Sequence, residues 1–182
     1  MATIWTIGHS TRPIEEFIEL LSAQGITRLV DIRTVPKSRH NPQYWHDALA
    51  ASLEEVGVGY TYIKELGGLR PKRPDSPNTA WRNASFQGYA DHMLTDEFHD
   101  GLEQLMTLAE AERCAIMCAE AVPWRCHRRL VADALLVRGF TPLEIISTAA
   151  PKEHELTPFA SVDGTQVTYP GTDEEDEGGG AA

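Results

Sequence analysis

Short apolar runs alternate with longer amphipathic segments through the first 146 residues, and this alternation limits the fold more than any other feature of the sequence. The apolar runs predict strands at 3–7, 28–32, 59–63, 114–118 and 143–146. The amphipathic segments predict helices at 13–24, 44–56, 86–94, 97–112 and 126–138. Strands that alternate with helices form a mostly parallel sheet covered by helices on both faces. We therefore predict an α/β fold of about five strands in a Rossmann-like, three-layer arrangement.

The chain divides into one folded domain and a C-terminal extension. Its 182 residues are about one domain's worth, and we assign residues 1–150 to a single α/β domain. Beyond Ala150 the composition shifts to Pro, Glu, Thr and Gly, and residues 151–170 can form a small hairpin around Asp163-Gly164. Residues 171–182 carry a run of acidic residues and are predicted to be a disordered tail.

Composition excludes a membrane span and a secreted disulfide scaffold. The mean hydropathy is -0.31, and no apolar run reaches the roughly 18 residues that a spanning helix needs. The N-terminal segment has no basic stretch followed by an apolar one, so we expect a cytoplasmic protein. Three cysteines in that compartment are expected to be free thiols.

The net charge of -11 argues against a protein that binds nucleic acid by neutralising many phosphates. Ten of the 16 Lys and Arg residues nevertheless lie in three short stretches, at 33–39, 70–82 and 125–129. The question is therefore whether these stretches meet in the folded chain.

In an open parallel sheet, ligands bind at the carboxyl ends of the strands. The loops expected at that edge are 8–11, 33–40, 65–84 and 118–128, which include nearly all of the clustered cations. We therefore predict an anion-binding site at this edge, with the long 65–84 loop as a candidate lid. The alternative is that these loops are polar only because loops are solvated.

Cys118 and Cys126 are the candidate nucleophiles. A thiol just past a buried strand or at a helix start feels unpaired backbone N–H groups, and nearby Arg and His add positive charge, so its thiolate is favoured. Glu120 and His127 lie in the same segment and can act as acid and base. The alternative is a small buried cysteine that does not react, which is the role expected for Cys114 inside its strand.

The remaining candidates are anion ligands. Gly8, His9 and Ser10 end the first strand, and a glycine followed by a helix start suits a phosphate or carboxylate. The further candidates are Arg33, Ser38, Arg128 and Tyr89. Alternatives remain open, because Ser10 can simply begin a helix, Arg33 can pair with Asp31 or Glu120, and Tyr89 can merely pack.

A metal site is not predicted. Cys118, Cys126 and His127 lack the paired Cys-x-x-Cys spacing of zinc sites and leave a fourth ligand unspecified. We expect neither a metal nor a cofactor.

Several motifs occur in a fixed order. They are Thr6-Ile7-Gly8-His9-Ser10, Asp31-Ile32-Arg33 with Pro36 and Ser38, Leu66-Gly67-Gly68, Phe86 with Tyr89, and Cys118-Ala119-Glu120 followed by Pro123 and Cys126-His127-Arg128. From about Thr3 to about Ile146 the chain resembles the domain-of-unknown-function 488 family of bacteria and archaea. The resemblance implies an α/β sheet with its site at the same carboxyl edge, and it names no reaction.

Together these features suggest a cysteine-dependent hydrolase or transferase that acts on a phosphate-, sulfur- or nucleotide-type substrate. The alternative is a binding module that holds a nucleotide or nucleic acid at the same edge without turnover. The expected partner is a small anionic ligand or nucleotide; nucleic acid is not favoured, and no membrane partner is expected.

Overall fold

The computed structural model describes residues 2–122 and 125–171 and contains a six-stranded sheet of order β3-β2-β4-β1-β5-β6. The strands are β1 Thr3–Gly8, β2 Arg28–Asp31, β3 Gly59–Tyr62, β4 Cys114–Cys118, β5 Thr141–Glu144 and β6 Lys152–Glu153. The first five are parallel, and β6 is an antiparallel edge strand beside β5. This confirms the α/β prediction, with one short strand more than expected.

Helices cover both faces of the sheet. They are α1 Ile14–Ala23, α2 His46–Glu55, α3 Ala84–His92, α4 Asp96–Ala111 and α5 Arg128–Leu136. Helices α1 and α2 share one hydrophobic cluster with Ile7 of β1, whereas α3, α4 and α5 share the other with Ile4. Because successive strand residues point to opposite faces, the central strands supply side chains to both clusters.

The strand register brings four strand ends side by side. Gly8 at the end of β1 pairs with Cys118 at the end of β4, and on the other side of β4 Asp31 pairs with Met117. Beyond β1, Thr6 pairs with Glu144, the last residue of β5. The carboxyl ends of β2, β4, β1 and β5 therefore form one continuous edge.

Several predicted boundaries differ from the structure by one or two residues; α3, for example, was predicted at 86–94 and is Ala84–His92. Helix α2 begins at His46, because Trp45 is extended after a 3-10 turn at Pro42–Tyr44. Helix α5 begins at Arg128 rather than 126. The last parallel strand lies at Thr141–Glu144 instead of 143–146, because its pairing with β1 begins two residues earlier, at Thr141.

The C-terminal segment forms the expected hairpin, with β7 Ser161–Asp163 antiparallel to β8 Gln166–Thr168 and Gly164 in the turn at φ +63. Tyr169 follows it and is fully buried in the core. The structure thus packs part of the extension against the α/β domain. The predicted disordered tail lies outside the described residues from position 172 onward.

Among residues 2–122 and 125–171, no helix has the length and apolar character needed to cross a membrane.

Candidate functional site

A cleft of 390 Å³ opens at the carboxyl edge of the sheet, beside the ends of β2 and β4. Its described lining residues are Arg33, Thr34, Val35, Lys37, Gly68, Leu69, Ser85, Phe86, Tyr89, Cys118, Ala119, Glu120, Arg125, Cys126 and His127. Segments that follow β2, β3 and β4 therefore contribute to one cavity, together with the start of α3.

Two of the three cysteines meet at this cleft. The Sγ atoms of Cys118 and Cys126 are in contact, and the structure joins them as a disulfide. The expectation of free thiols holds in the structure only for Cys114, which is buried within β4. The pairing did not follow from sequence because it depends on how the chain after β4 folds back before α5 begins.

Arg128 lies next to the sulfur of Cys118. Its side chain is buried, and Nη1 donates to Sγ of Cys118 at 2.7 Å. Nη1 also donates to the carbonyl of Glu120, and Nη2 donates to that of Ala121 at 3.0 Å. The guanidinium therefore holds the loop after β4 against the sulfur of Cys118.

Glu144 completes this arrangement from the neighbouring strand end. Its carboxylate accepts from Nη2 of Arg128 at 2.9 Å and from Nε at 3.3 Å, and it also accepts from the hydroxyl of Thr6. All three side chains are buried, so the ion pair is shielded from water. The carboxylate fixes the plane of the guanidinium, which leaves Nη1 directed at Cys118.

Gly8 is required by the same packing. A Cβ atom at this position would lie 1.8 Å from the carbonyl oxygen of Glu120 and 2.8 Å from Nη1 of Arg128. Since backbone oxygen cannot move aside like the end of a flexible side chain, only glycine fits at the end of β1 without displacing the loop.

His127 lies against Cys126. Its Nε2 faces the carbonyl oxygen of Ile32 at 2.8 Å, so this nitrogen carries the proton and donates it. Burial lowers the pKa of His127 from 6.5 to about 4, so the ring is neutral at physiological pH. Nδ1 is then an unprotonated acceptor, and it lies 3.6 Å from Sγ of Cys126.

A second buried ion pair lies at the end of β2. Arg33 donates to Asp31 through Nη2 at 2.7 Å and through Nε at 2.9 Å, and the hydroxyl of Tyr60 donates to the same carboxylate at 2.6 Å. Nη1 of Arg33 lies 3.5 Å from Nε2 of His9. Of the two pairings left open for Arg33, the structure has the one with Asp31.

His9 is buried and stacks on Tyr44 with 4.1 Å between the ring centroids. Its Nδ1 donates to the carbonyl of Ser10 at 2.7 Å. Burial lowers the pKa of His9 to about 4, and the positive charge of Arg33 contributes to the same effect. In the folded protein His9 is therefore a neutral ring at physiological pH and adds no positive charge to the sheet edge.

The lip of the cleft is both cationic and apolar. Lys37 and Arg125 are exposed lining residues, and the ammonium of Lys37 also lies over the ring of Trp45 at 5.5 Å. Leu69 is 78% exposed, with φ +56, and Val35 is 56% exposed on the same lip. A ligand that enters this cleft meets positive charge next to uncovered hydrophobic surface.

The long loop before α3 is anchored along its middle. Asp91 of α3 accepts from the hydroxyl of Ser76 at 2.6 Å, from the amide of Asn78 at 2.7 Å and from the backbone N–H of Arg73 at 2.7 Å. These hydrogen bonds hold residues 73–78 against helix α3. The parts of the loop that line the cleft are Gly68 and Leu69.

Comparison with known proteins identifies the family. Residues 13–135 match the family described as Domain of unknown function DUF488. The chain belongs to this family. No curated protein and no solved structure matches the chain.

The DUF488 chain brings together six of the residues predicted for its site. Cys118, Glu120, Cys126, His127, Arg33 and Tyr89 all line the cleft. Arg128 and Gly8 are not lining residues and support the cleft from below. Pro123 and Trp124, which lie between the two cysteines, are outside the described residues.

The other predicted anion ligands have structural partners. The backbone N–H of Ser10 donates to the carbonyl of Ala119 at 2.9 Å, and Ser10 adopts a positive φ of 50. Ser38 accepts at its hydroxyl from the amide of Asn41 at 3.1 Å. Tyr89 donates its hydroxyl to the carbonyl of Leu66 at 2.7 Å and turns its ring toward His127. Neither serine is among the lining residues of the cleft.

Glu144 was not predicted as a site residue. The available signal was an acidic residue within the otherwise apolar run that ends the sheet. Within the described part of the chain, no group of three or more His, Cys, Asp or Glu residues is arranged to hold a metal ion.

Proposed function

We propose that this protein is a thiol-dependent enzyme in which Cys118 is the nucleophile and the cleft binds a small substrate with an anionic group. The observation that carries the proposal is the 2.7 Å contact from Nη1 of Arg128 to Sγ of Cys118. In the reduced protein a buried guanidinium at this distance favours the thiolate over the thiol. A thiolate at the base of a cleft is the form that attacks an electrophilic phosphorus, carbon or sulfur atom.

The charge of the lining residues supports an anionic substrate. Arg33, Lys37 and Arg125 are cationic and Glu120 is the one carboxylate among the described lining residues. Arg33 is already paired with Asp31, so Lys37 and Arg125 supply the exposed positive charge. A substrate held by these side chains would present its reactive atom toward Cys118, with Glu120 available for proton transfer at the same wall.

The test is the alkylation rate of each cysteine against pH. The fully reduced chain is treated with iodoacetamide and read by peptide mass spectrometry, with and without phosphate or sulfate. We expect Cys118 to react with an apparent pKa well below about 8.5 and to be protected by the anion. Cys114, whose pKa burial raises to about 11, is the internal control and should not react near neutral pH.

A Cys118 that alkylates slowly with an unshifted pKa would overturn the proposal. The cationic and apolar lip then favours the second candidate function, a module that binds a nucleotide or nucleic acid without turnover. Binding of a labelled oligonucleotide that weakens steeply with added salt would support that alternative.

A further inference from the structure

Of the functional features at the cleft, the paired sulfurs are the one that a single nucleophile does not explain. Cys118 ends β4 and Cys126 lies two residues before α5, yet their Sγ atoms are in contact. A nucleophile that transfers a phosphoryl or acyl group has no use for a second sulfur within bonding range. A thiol that exchanges with disulfides requires one.

The surroundings of the two sulfurs differ in a way that assigns a role to each. Cys118 faces a fixed positive donor, Nη1 of Arg128, which stabilises a thiolate before any substrate arrives. Cys126 faces the bare Nδ1 of neutral His127 at 3.6 Å, which can accept a hydrogen bond from the thiol, and Sγ of Cys126 accepts from the uncharged backbone N–H of Arg128 at 3.4 Å. Cys118 is thus suited to attack first, and Cys126 is suited to remain a thiol until its proton is taken.

We propose that Cys118 and Cys126 are the attacking and resolving thiols of a thiol–disulfide exchange reaction, with a small anionic disulfide as the substrate. This deepens the proposed function, because it rests on Cys118 as the nucleophile and names the electrophile as a disulfide sulfur.

The chemistry balances in two steps. The thiolate of Cys118 attacks one sulfur of a disulfide RSSR′, forming the mixed disulfide Cys118–SR and releasing R′S⁻. The thiol of Cys126, hydrogen-bonded to Nδ1 of His127, then attacks Cys118 and displaces RS⁻. The proton of the Cys126 thiol passes by way of Nδ1 to the departing RS⁻ as the new S–S bond forms, and the product leaves as RSH. The protein loses two electrons to the substrate, and the Cys118–Cys126 disulfide is the oxidised product.

The substrate must be small and charged. Cys118 and Cys126 are both nearly buried, so a protein disulfide on a rigid surface has little access to them. Lys37 and Arg125 at the lip suit carboxylate groups, and Leu69 and Val35 offer apolar contact beside them. Oxidised glutathione has carboxylates on both halves and a central disulfide, and it is the probe for the test.

The experiment follows the fully reduced chain after addition of oxidised glutathione, with acid quenching and intact-mass and peptide mass spectrometry. The wild-type chain is expected to lose two hydrogens and to form the Cys118–Cys126 disulfide without accumulating an adduct. Cys126→Ser should stop at a glutathione adduct on Cys118. Cys118→Ser should form its adduct on Cys126 about tenfold more slowly than Cys126→Ser forms the adduct on Cys118, because it lacks the stabilised thiolate.

Two further variants make the test specific. Cys114→Ser should behave as the wild type, since Cys114 is buried in β4 away from the cleft lining. His127→Gln should leave the first step unchanged and slow the second, so that the mixed disulfide on Cys118 becomes visible in the time course. A merely structural histidine would change both steps or neither.

The outcomes separate this inference from the proposed function. If Cys118 alkylates rapidly with anion protection but does not react with oxidised glutathione, the exchange reaction is wrong and the thiol enzyme stands. If the two single-cysteine variants react at equal rates, the assignment of roles is wrong. If Cys118 shows no stabilised thiolate in the alkylation experiment, both proposals fail together.

Discussion

Two buried arginine–carboxylate pairs lie at the same sheet edge, and the two arginines differ in the partner of their remaining nitrogen, Nη1. Arg33 turns Nε and Nη2 onto Asp31, and its Nη1 lies near the neutral ring of His9. Arg128 gives Nε and Nη2 to Glu144 and keeps Nη1 for Cys118. A buried ion pair is weak evidence for stability in itself, because desolvation offsets much of the attraction. The function of each arginine therefore depends on the partner of Nη1, which is His9 for Arg33 and Cys118 for Arg128.

The largest expected effects come from removing each arginine in turn. Arg128→Met and Arg33→Met should each lower the free energy of unfolding by about 3–5 kcal/mol, because each leaves a buried carboxylate without its partner. Only Arg128→Met should also raise the apparent alkylation pKa of Cys118 toward the ordinary value of about 8.5. Chemical denaturation measures the first effect and iodoacetamide kinetics the second. Equal pKa shifts in the two variants would show that the two pairs are not chemically distinct.

The next largest expected effect is a loss of stability at acid pH that comes from His9, which lies beside Arg33. Its pKa is about 4 in the folded protein and 6.5 for an exposed histidine in an unfolded chain, so the unfolded chain binds more protons between these values. The contribution of the neutral His9 ring to the free energy of unfolding is complete above pH 6.5 and is lost as the pH falls toward 4. The total loss is on the order of 3 kcal/mol. Urea denaturation across this range should show a shallower fall in stability for His9→Gln. A parallel fall in both proteins would contradict the assignment.

The smallest effects come from the two hydroxyls that donate to the carboxylates. Tyr60→Phe and Thr6→Val each remove one hydrogen bond, to Asp31 and to Glu144 respectively, and each should cost about 1 kcal/mol. The free energy of unfolding from denaturation curves measures both. Tyr60→Phe should leave the reactivity of Cys118 unchanged, whereas Thr6→Val loosens the carboxylate that holds Arg128. Loss of Cys118 reactivity in Tyr60→Phe would place the two pairs in a single network.

Much of this edge could be predicted from the sequence because strand ends in a parallel sheet converge. The residues at the ends of β1, β2 and β4 were therefore expected to be neighbours, and those predicted at the ends of β2 and β4 line one cleft: Arg33, Cys118, Glu120, Cys126 and His127. What could not be predicted depends on register and loop path. Glu144 becomes the partner of Arg128 only because β5 begins at Thr141, two residues before its apolar run suggests. The contact between the sulfurs of Cys118 and Cys126 depends on how the intervening chain turns back.

Tyr169 links helix α5 to the long loop from the far end of the chain. Its hydroxyl donates to Asp133 of α5 at 2.8 Å, while its backbone N–H donates to the side-chain oxygen of Asn78 in the long loop at 2.8 Å. Helix α5 begins with Arg128, and the long loop leads to the wall formed by Phe86. Residue 169 lies beyond the segment 13–135 that matches the family, so this link between α5 and the long loop comes from outside the matched segment.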